Sequence, residues 1–135
     1  MLQNILVGYD GSAQSRRAYD FAVAAAAAFG GRVHVVMALA LPSVESGAAM
    51  LDDRRHNEAA QMLTTLTANH DPRVVVTAAV AHGNPGDVLL AEAQRQHCDH
   101  IMLGHTPRGA LLTWLLGSVT SDVMGAAPVP VTVLR

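Results

Sequence analysis

Apolar and polar positions along this chain switch between two periods. Five short apolar runs have strand length and turn residues at their borders: Leu2 to Val7, Arg32 to Leu41, Arg73 to Ala81, Asp99 to Gly104 and Val129 to Leu134. Between them lie four stretches with helical spacing, from Ala13 to Phe29, Leu51 to Asn69, Gly86 to His97 and about Ser118 to Gly125. The pattern gives the first helix an inner face of Ala18, Phe21, Ala22, Ala25 and Phe29, with alanines small enough to lie close to a sheet. Asp10 or Ser12 caps its start, and Gly30 with Gly31 ends it. The second helix turns Met62, Leu63 and Leu66 inward, and the third Val88, Leu89 and Ala93. Strand, helix and strand at these lengths make right-handed parallel crossovers. The predicted fold is α/β, an open five-stranded parallel sheet with helices on both faces, Rossmann-like in plan.

Such a sheet binds ligands beyond the carboxyl ends of its strands, where the strand order reverses. Asp10, Ala38, Gly83 and Gly104 all fall at or just past those ends. The stretch Gly104 to Ser118, GHTPRGALLTWLLGS, follows an apolar run and feeds a helix, which suits it to hold an anion on turn N–H groups and a helix start. Pro107 is the exception in that turn because it has no N–H.

Composition narrows the choice. A length of 135 residues matches one domain over the whole chain, and a half-hydrophobic chain with 15% charged residues implies a core buried on more than one side. The net charge of −2 supplies no overall attraction for nucleic acid, and there is no basic cluster. All nine basic residues are arginine, so a Walker lysine, a Schiff base and a lysine nucleophile are excluded. The start of the chain lacks the pattern of a signal peptide, and the most apolar tract, Ala22 to Phe29, is too short to span a bilayer. A cytoplasmic protein without membrane contact is expected.

Seven histidines, at 34, 56, 70, 82, 97, 100 and 105, fall on different elements without the paired spacing of a zinc site, so no metal site is expected from them. His105 directly follows Gly104 and is placed to touch phosphate or to stand in solvent. Cys98, the one cysteine, reads as a small buried hydrophobe. Leu111, Leu112, Trp114, Leu115 and Leu116 either pack on the domain or form a partner surface. Pro128 and Pro130 at the start of the last run assign it to a sheet edge.

Several landmarks in order, ILVGYDGS, GNPGDVLL, IMLGH, LLGSV and APVPVTVLR, make the chain resemble the universal stress protein family from end to end. The resemblance implies a sheet of adenine nucleotide α-hydrolase type, a dimer, and a member of a family in which some proteins bind ATP and others do not. ATP-binding members carry glycine, two residues, glycine, nine residues, then glycine with serine or threonine. Gly104, Gly117 and Ser118 keep that spacing, and Pro107 replaces the second glycine. By the same resemblance Asp10 sits near base or ribose, the backbone at Ala38 and Leu103 frames adenine, and Gly104, Gly117, Ser118 and Val119 handle phosphate and ribose. Gly109 and Arg108 are placed to offset the proline, through turn freedom, an extra N–H and a forked cation. Asp10 is also suited to positioning Mg2+ with the phosphates.

The expected function is a small stress-response protein that binds ATP or a related adenine nucleotide and acts through conformation or partners, with turnover slow or absent. The rival keeps the fold and abandons the nucleotide, leaving a dimeric interaction protein whose altered loop meets a protein partner. Either way, Val129 to Leu134 is expected to join two copies of the chain. An enzyme acting on the α-phosphate would need a signature such as HIGH or SGG, and neither string occurs.

Overall fold

The computed structural model describes residues 2–40, 48–105 and 118–135, with side chains from 53 onward in the second segment and from 122 onward in the third. Among the described residues five strands, β1 (Asn4–Gly8), β2 (Arg32–Leu39), β3 (Val75–His82), β4 (His100–Gly104) and β5 (Val131–Leu134), alternate with four helices, α1 (Ala13–Phe29), α2 (Ala48–Thr67), α3 (Pro85–Arg95) and α4 (Ser118–Ala126). All neighbouring strands are parallel, in the order β3-β2-β1-β4-β5. The expected architecture is therefore present. The chain grows outward from β1 through β2 to β3, then returns to the other side of β1 with β4, so the order reverses between β1 and β4.

Strand alternation sends successive side chains to opposite faces. Ile5, Val7, Val33, Val35 and Met37 face a core formed with Ala18, Tyr19 and Ala22 of α1 and Leu63 and Leu66 of α2. Leu6, Val36, Ile101 and Leu103 face the other core with Leu89 and Ala93 of α3 and Val123 of α4. The close approach of the last two helices is visible at Gly86, where an added Cβ would come within 3.2 Å of Asp122 Cβ.

The inner face of α1 differs from expectation. Phe21 and Phe29 are 51% and 52% exposed, while the buried stripe is Ser15, Ala18, Tyr19, Ala22 and Ala26. The first turn of α1 lies directly on the backbone of β4 at Gln14 and Ser15, and the helix turns the stripe from Ser15 to Ala26, Tyr19 included, toward the sheet. Ala25 is half-buried, as is Val88 on α3, whose buried positions include Leu89, Ala93 and the unexpected Glu92. On α2, Leu63 and Leu66 are buried as the pattern predicts, and Met62 is half-buried. Helix α1 is capped by Ser12 rather than Asp10, and it ends at Gly30 with φ of 70°, a left-handed turn that suits glycine. Strand β5 is an edge, and the carbonyl of Pro130 accepts from Ile101 N at 3.0 Å, so the proline joins the sheet through the group it retains.

Candidate functional site

The reversal between β1 and β4 opens the crevice at which ligands bind in sheets of this kind. Ile5, Leu6 and Val7 pair with His100, Ile101 and Met102, and continuing that register sets Tyr9 beside Gly104. On the other side Gly8 pairs with Val36, and Tyr9 N donates to Val36 O at 2.9 Å, which brings Asp10 level with Ala38. The structure thus brings Asp10, Ala38, Leu103 and Gly104 to one rim. Gly83 ends β3 on the same side, held by its N–H to Leu39 O at 2.8 Å.

Asp10 is 3% exposed, and its carboxylate is held in place by the turn that follows. Its Oδ1 accepts from Ser12 N at 2.9 Å and from Ser15 Oγ at 2.8 Å. Ser15 Oγ also accepts from Asp10 N at 3.3 Å and from Ser12 Oγ at 3.0 Å, while Ser15 N donates back to Ser12 Oγ at 3.1 Å. Three short side chains therefore fix one another and the start of α1. The turn is possible because Gly11 takes a φ of 84°. Sequence reasoning missed Ser15, although a serine three residues after an N-cap serine is a variant of the capping pattern that could have shown it.

Gly104 has a different reason to be glycine. A Cβ placed on it would overlap the backbone of Gln14 and Ser15, so the first turn of α1 rests on the end of β4. Leu103, fully buried, turns its side chain into the core with α3 and α4 and offers only its backbone to the rim. His105 is exposed, and its N–H donates to Leu134 O at 2.6 Å, which ties the exit of β4 to the edge strand. Ser118 and Val119 form the first residues of α4, whose start agrees with expectation. Arg108, Gly109 and Gly117, together with Pro107 and the run from Leu111 to Leu116, lie outside the described residues.

A separate groove of about 520 Å3 runs between α1 and α2, with Tyr9 and Arg16 on one wall and Glu58, Gln61, Met62 and Thr65 on the other. Burial pushes the Tyr9 phenol above its ordinary range, so it stays neutral. Among the described residues the groove shares none with the predicted site and contains nothing from β4. It adjoins the rim without being the crevice.

Buried polar groups also occur near the other end of the strands. His34, 5% exposed, brings Nε2 to 2.9 Å from Glu92 Oε1 and Nδ1 to 2.6 Å from Thr77 Oγ1. Arg95 also reaches that Glu92 oxygen. Burial favours protonation of Glu92, yet the bonds from Arg95 and His34 outweigh it and hold the carboxyl below its usual value. The thiol of Cys98 is buried and pushed up to about 11 by desolvation, in keeping with a structural role.

Residues 1–135 match the sequence profile of the universal stress protein family. The chain belongs to that family. A universal stress protein from Thermus aquaticus, encoded in the QAH/OAS sulfhydrylase 3′ region, is 30% identical, and the match covers all of both chains. Among solved structures, universal stress protein UspA from Lactobacillus plantarum has a TM-score of 0.79 at 23% identity, covering 99% of this chain and 98% of its own. A universal stress protein in complex with cAMP has a TM-score of 0.66 at 25% identity, with 98% and 97% covered. The universal stress protein from Archaeoglobus fulgidus in complex with dAMP has a TM-score of 0.64 at 21% identity, with full coverage of both chains. The fold of this universal stress protein is thus shared with proteins that carry adenine nucleotides. Among its described residues no helix is long and apolar enough to cross a membrane.

Proposed function

We propose that this protein binds ATP or a related adenine nucleotide, with Mg2+ when phosphates are present, at the rim formed by Asp10, Ala38, Leu103 and Gly104, and that binding acts through conformation or a partner. The observation that carries the reading is the fit between α1 and β4 at Gly104, which puts the buried Asp10 turn beside the crevice without space for a side chain between them. Relatives of the same fold hold cAMP and dAMP, and that chemistry is the one a glycine-bounded rim with a fixed carboxylate suits. The loop with Arg108 and Gly109, then Gly117, Ser118 and Val119, completes the site in this proposal. Slow or absent turnover accompanies it, in a cytoplasmic protein.

Calorimetry and thermal unfolding with ATP, AMP and cAMP test the reading. Saturable binding and a raised melting temperature are expected, and no effect of any of the three at millimolar concentration would refute it. A second reading rests on Pro107, which removes one N–H from the phosphate loop. One lost hydrogen bond to a charged group is worth about 1.5–3 kcal/mol, so Pro107→Gly should tighten ATP roughly tenfold or more. If ATP binding instead appears only in that variant, the native protein is an interaction module that has given up its nucleotide. Under either reading we place the dimer contact at β5, the edge strand that follows two prolines; sedimentation as a monomer at micromolar concentration would exclude it.

A further inference from the structure

The histidines fall on different elements in the sequence, but the fold brings two of them together at the outer edge of the sheet. His56 on α2 and His82, the last residue of β3, are both exposed, and His56 Nδ1 stands 3.0 Å from His82 Nε2. Their planes differ by 7° and their ring centres are 5.3 Å apart. With the nitrogens spanning 3.0 Å of that 5.3 Å, the remainder is two ring radii, so the centres and the two nitrogens lie on one line. The rings meet edge to edge in one plane rather than face to face. One imidazole donates its N–H and the other accepts, which aims two ring nitrogens at a shared point between α2 and β3.

We infer that His56 and His82 form a binding site for a divalent transition-metal ion of the class that imidazole prefers, Cu2+, Ni2+ or Zn2+. In such a complex the donating imidazole takes its other tautomer, so the shared proton moves to the far nitrogen of that ring and both facing nitrogens become ligands. Zn–N bonds of about 2.0–2.1 Å put two nitrogens on one tetrahedral ion about 3.3 Å apart. The pair already stands at 3.0 Å, close to that separation. What has to change is ring direction, since each imidazole must swing about 35° off the line between the nitrogens for a tetrahedral centre. Exposed side chains accommodate that rotation. Among the described residues no third histidine, cysteine or carboxylate stands close enough to join them. Affinity then follows the ordinary order for nitrogen ligands, with Cu2+ ahead of Ni2+ and Zn2+.

The site joins residues 26 apart in sequence, on a helix and on an edge strand. Neither half holds the ion in the unfolded chain with this geometry, so binding stabilises the packing of α2 on β3.

The test is titration of the tag-free protein with Zn2+, Ni2+ and Cu2+ by calorimetry, with thermal unfolding at saturating metal. One ion per chain and a rise in melting temperature of about 5 °C are expected for Zn2+. His56→Ala and His82→Ala should each lower affinity at least tenfold and remove the rise, whereas His70→Ala, also exposed, changes neither. Both site variants alter exposed side chains, and circular dichroism checks that they fold. In the Cu2+ complex, nitrogen hyperfine structure should report two imidazoles in the wild type and one in either variant. Wild-type affinity in either site variant, or metal binding with equal thermal shifts in all four proteins, would overturn the inference.

Discussion

Two groups of polar side chains, each built around buried members, occupy opposite ends of the same sheet, and they differ in reach. At the rim Asp10, Ser12 and Ser15 bond one another across no more than five residues of sequence. Near the amino-terminal end of β2, His34 reaches Thr77 and Glu92 across 43 and 58 residues, linking two strands and α3. The first group shapes a turn beside a crevice. The second joins elements that the chain brings together only when folded, so it serves stability. If this division holds, substitutions in the second group should destabilise the protein without altering what the rim binds, whereas those at the rim should alter nucleotide affinity as well as stability.

Gly104→Ala has the largest expected effect because it strikes the contact that positions the rim. The added methyl overlaps the backbone of Gln14 and Ser15, and backbone cannot rotate aside as a side chain can. A loss of about 3 kcal/mol or more is expected in urea unfolding, with nucleotide affinity reduced at least tenfold. A well-folded Gly104→Ala protein with unchanged affinity would remove the reason for locating the site there. His34→Ala comes next. It leaves a buried carboxylate short of one partner while Arg95 remains, at an expected cost of about 2–3 kcal/mol. Nucleotide binding should not change. Ser15→Ala is smaller, near 1 kcal/mol, since Ser12 N still reaches Asp10; here a weakened affinity that exceeds the stability loss would show that the fixed carboxylate matters to the ligand.

The difference in reach also explains what the sequence disclosed. Strand and helix order, the alternation of faces and the rim positions of Asp10 and Gly104 follow from periodicity and turn residues, which act locally. The Asp10 turn was legible for the same reason, apart from Ser15. Glu92 was hidden because a carboxylate on a helix face reads as solvated until a histidine from another strand arrives opposite it. The inward phase of α1 escaped for a related reason. Phe21 and Phe29 look like core residues, but the helix is set by its contacts with the sheet so that Ser15, Ala18, Tyr19, Ala22 and Ala26 are buried instead. His56 and His82 likewise meet only through the packing of α2 on β3.

Acid should separate the smallest contributions. Burial lowers the affinity of His100 for a proton below that of a free imidazole, near 6.5. The unfolded chain therefore takes up that proton first as pH falls, and stability begins to drop below about 6.5. Glu92 acts later and for another cause. Its folded value lies below the ordinary 4.5, so its contribution is complete above 4.5 and is lost as pH falls through the folded value. Urea unfolding at pH 7.5, 5.5 and 4 should give two successive declines. His100→Gln keeps a hydrogen-bonding group for Thr132 and should flatten the first alone, whereas Glu92→Gln should flatten the second alone. A first decline that survives His100→Gln would place its origin in another histidine, and one that vanishes in Glu92→Gln would mean that the two sites titrate together across the sheet.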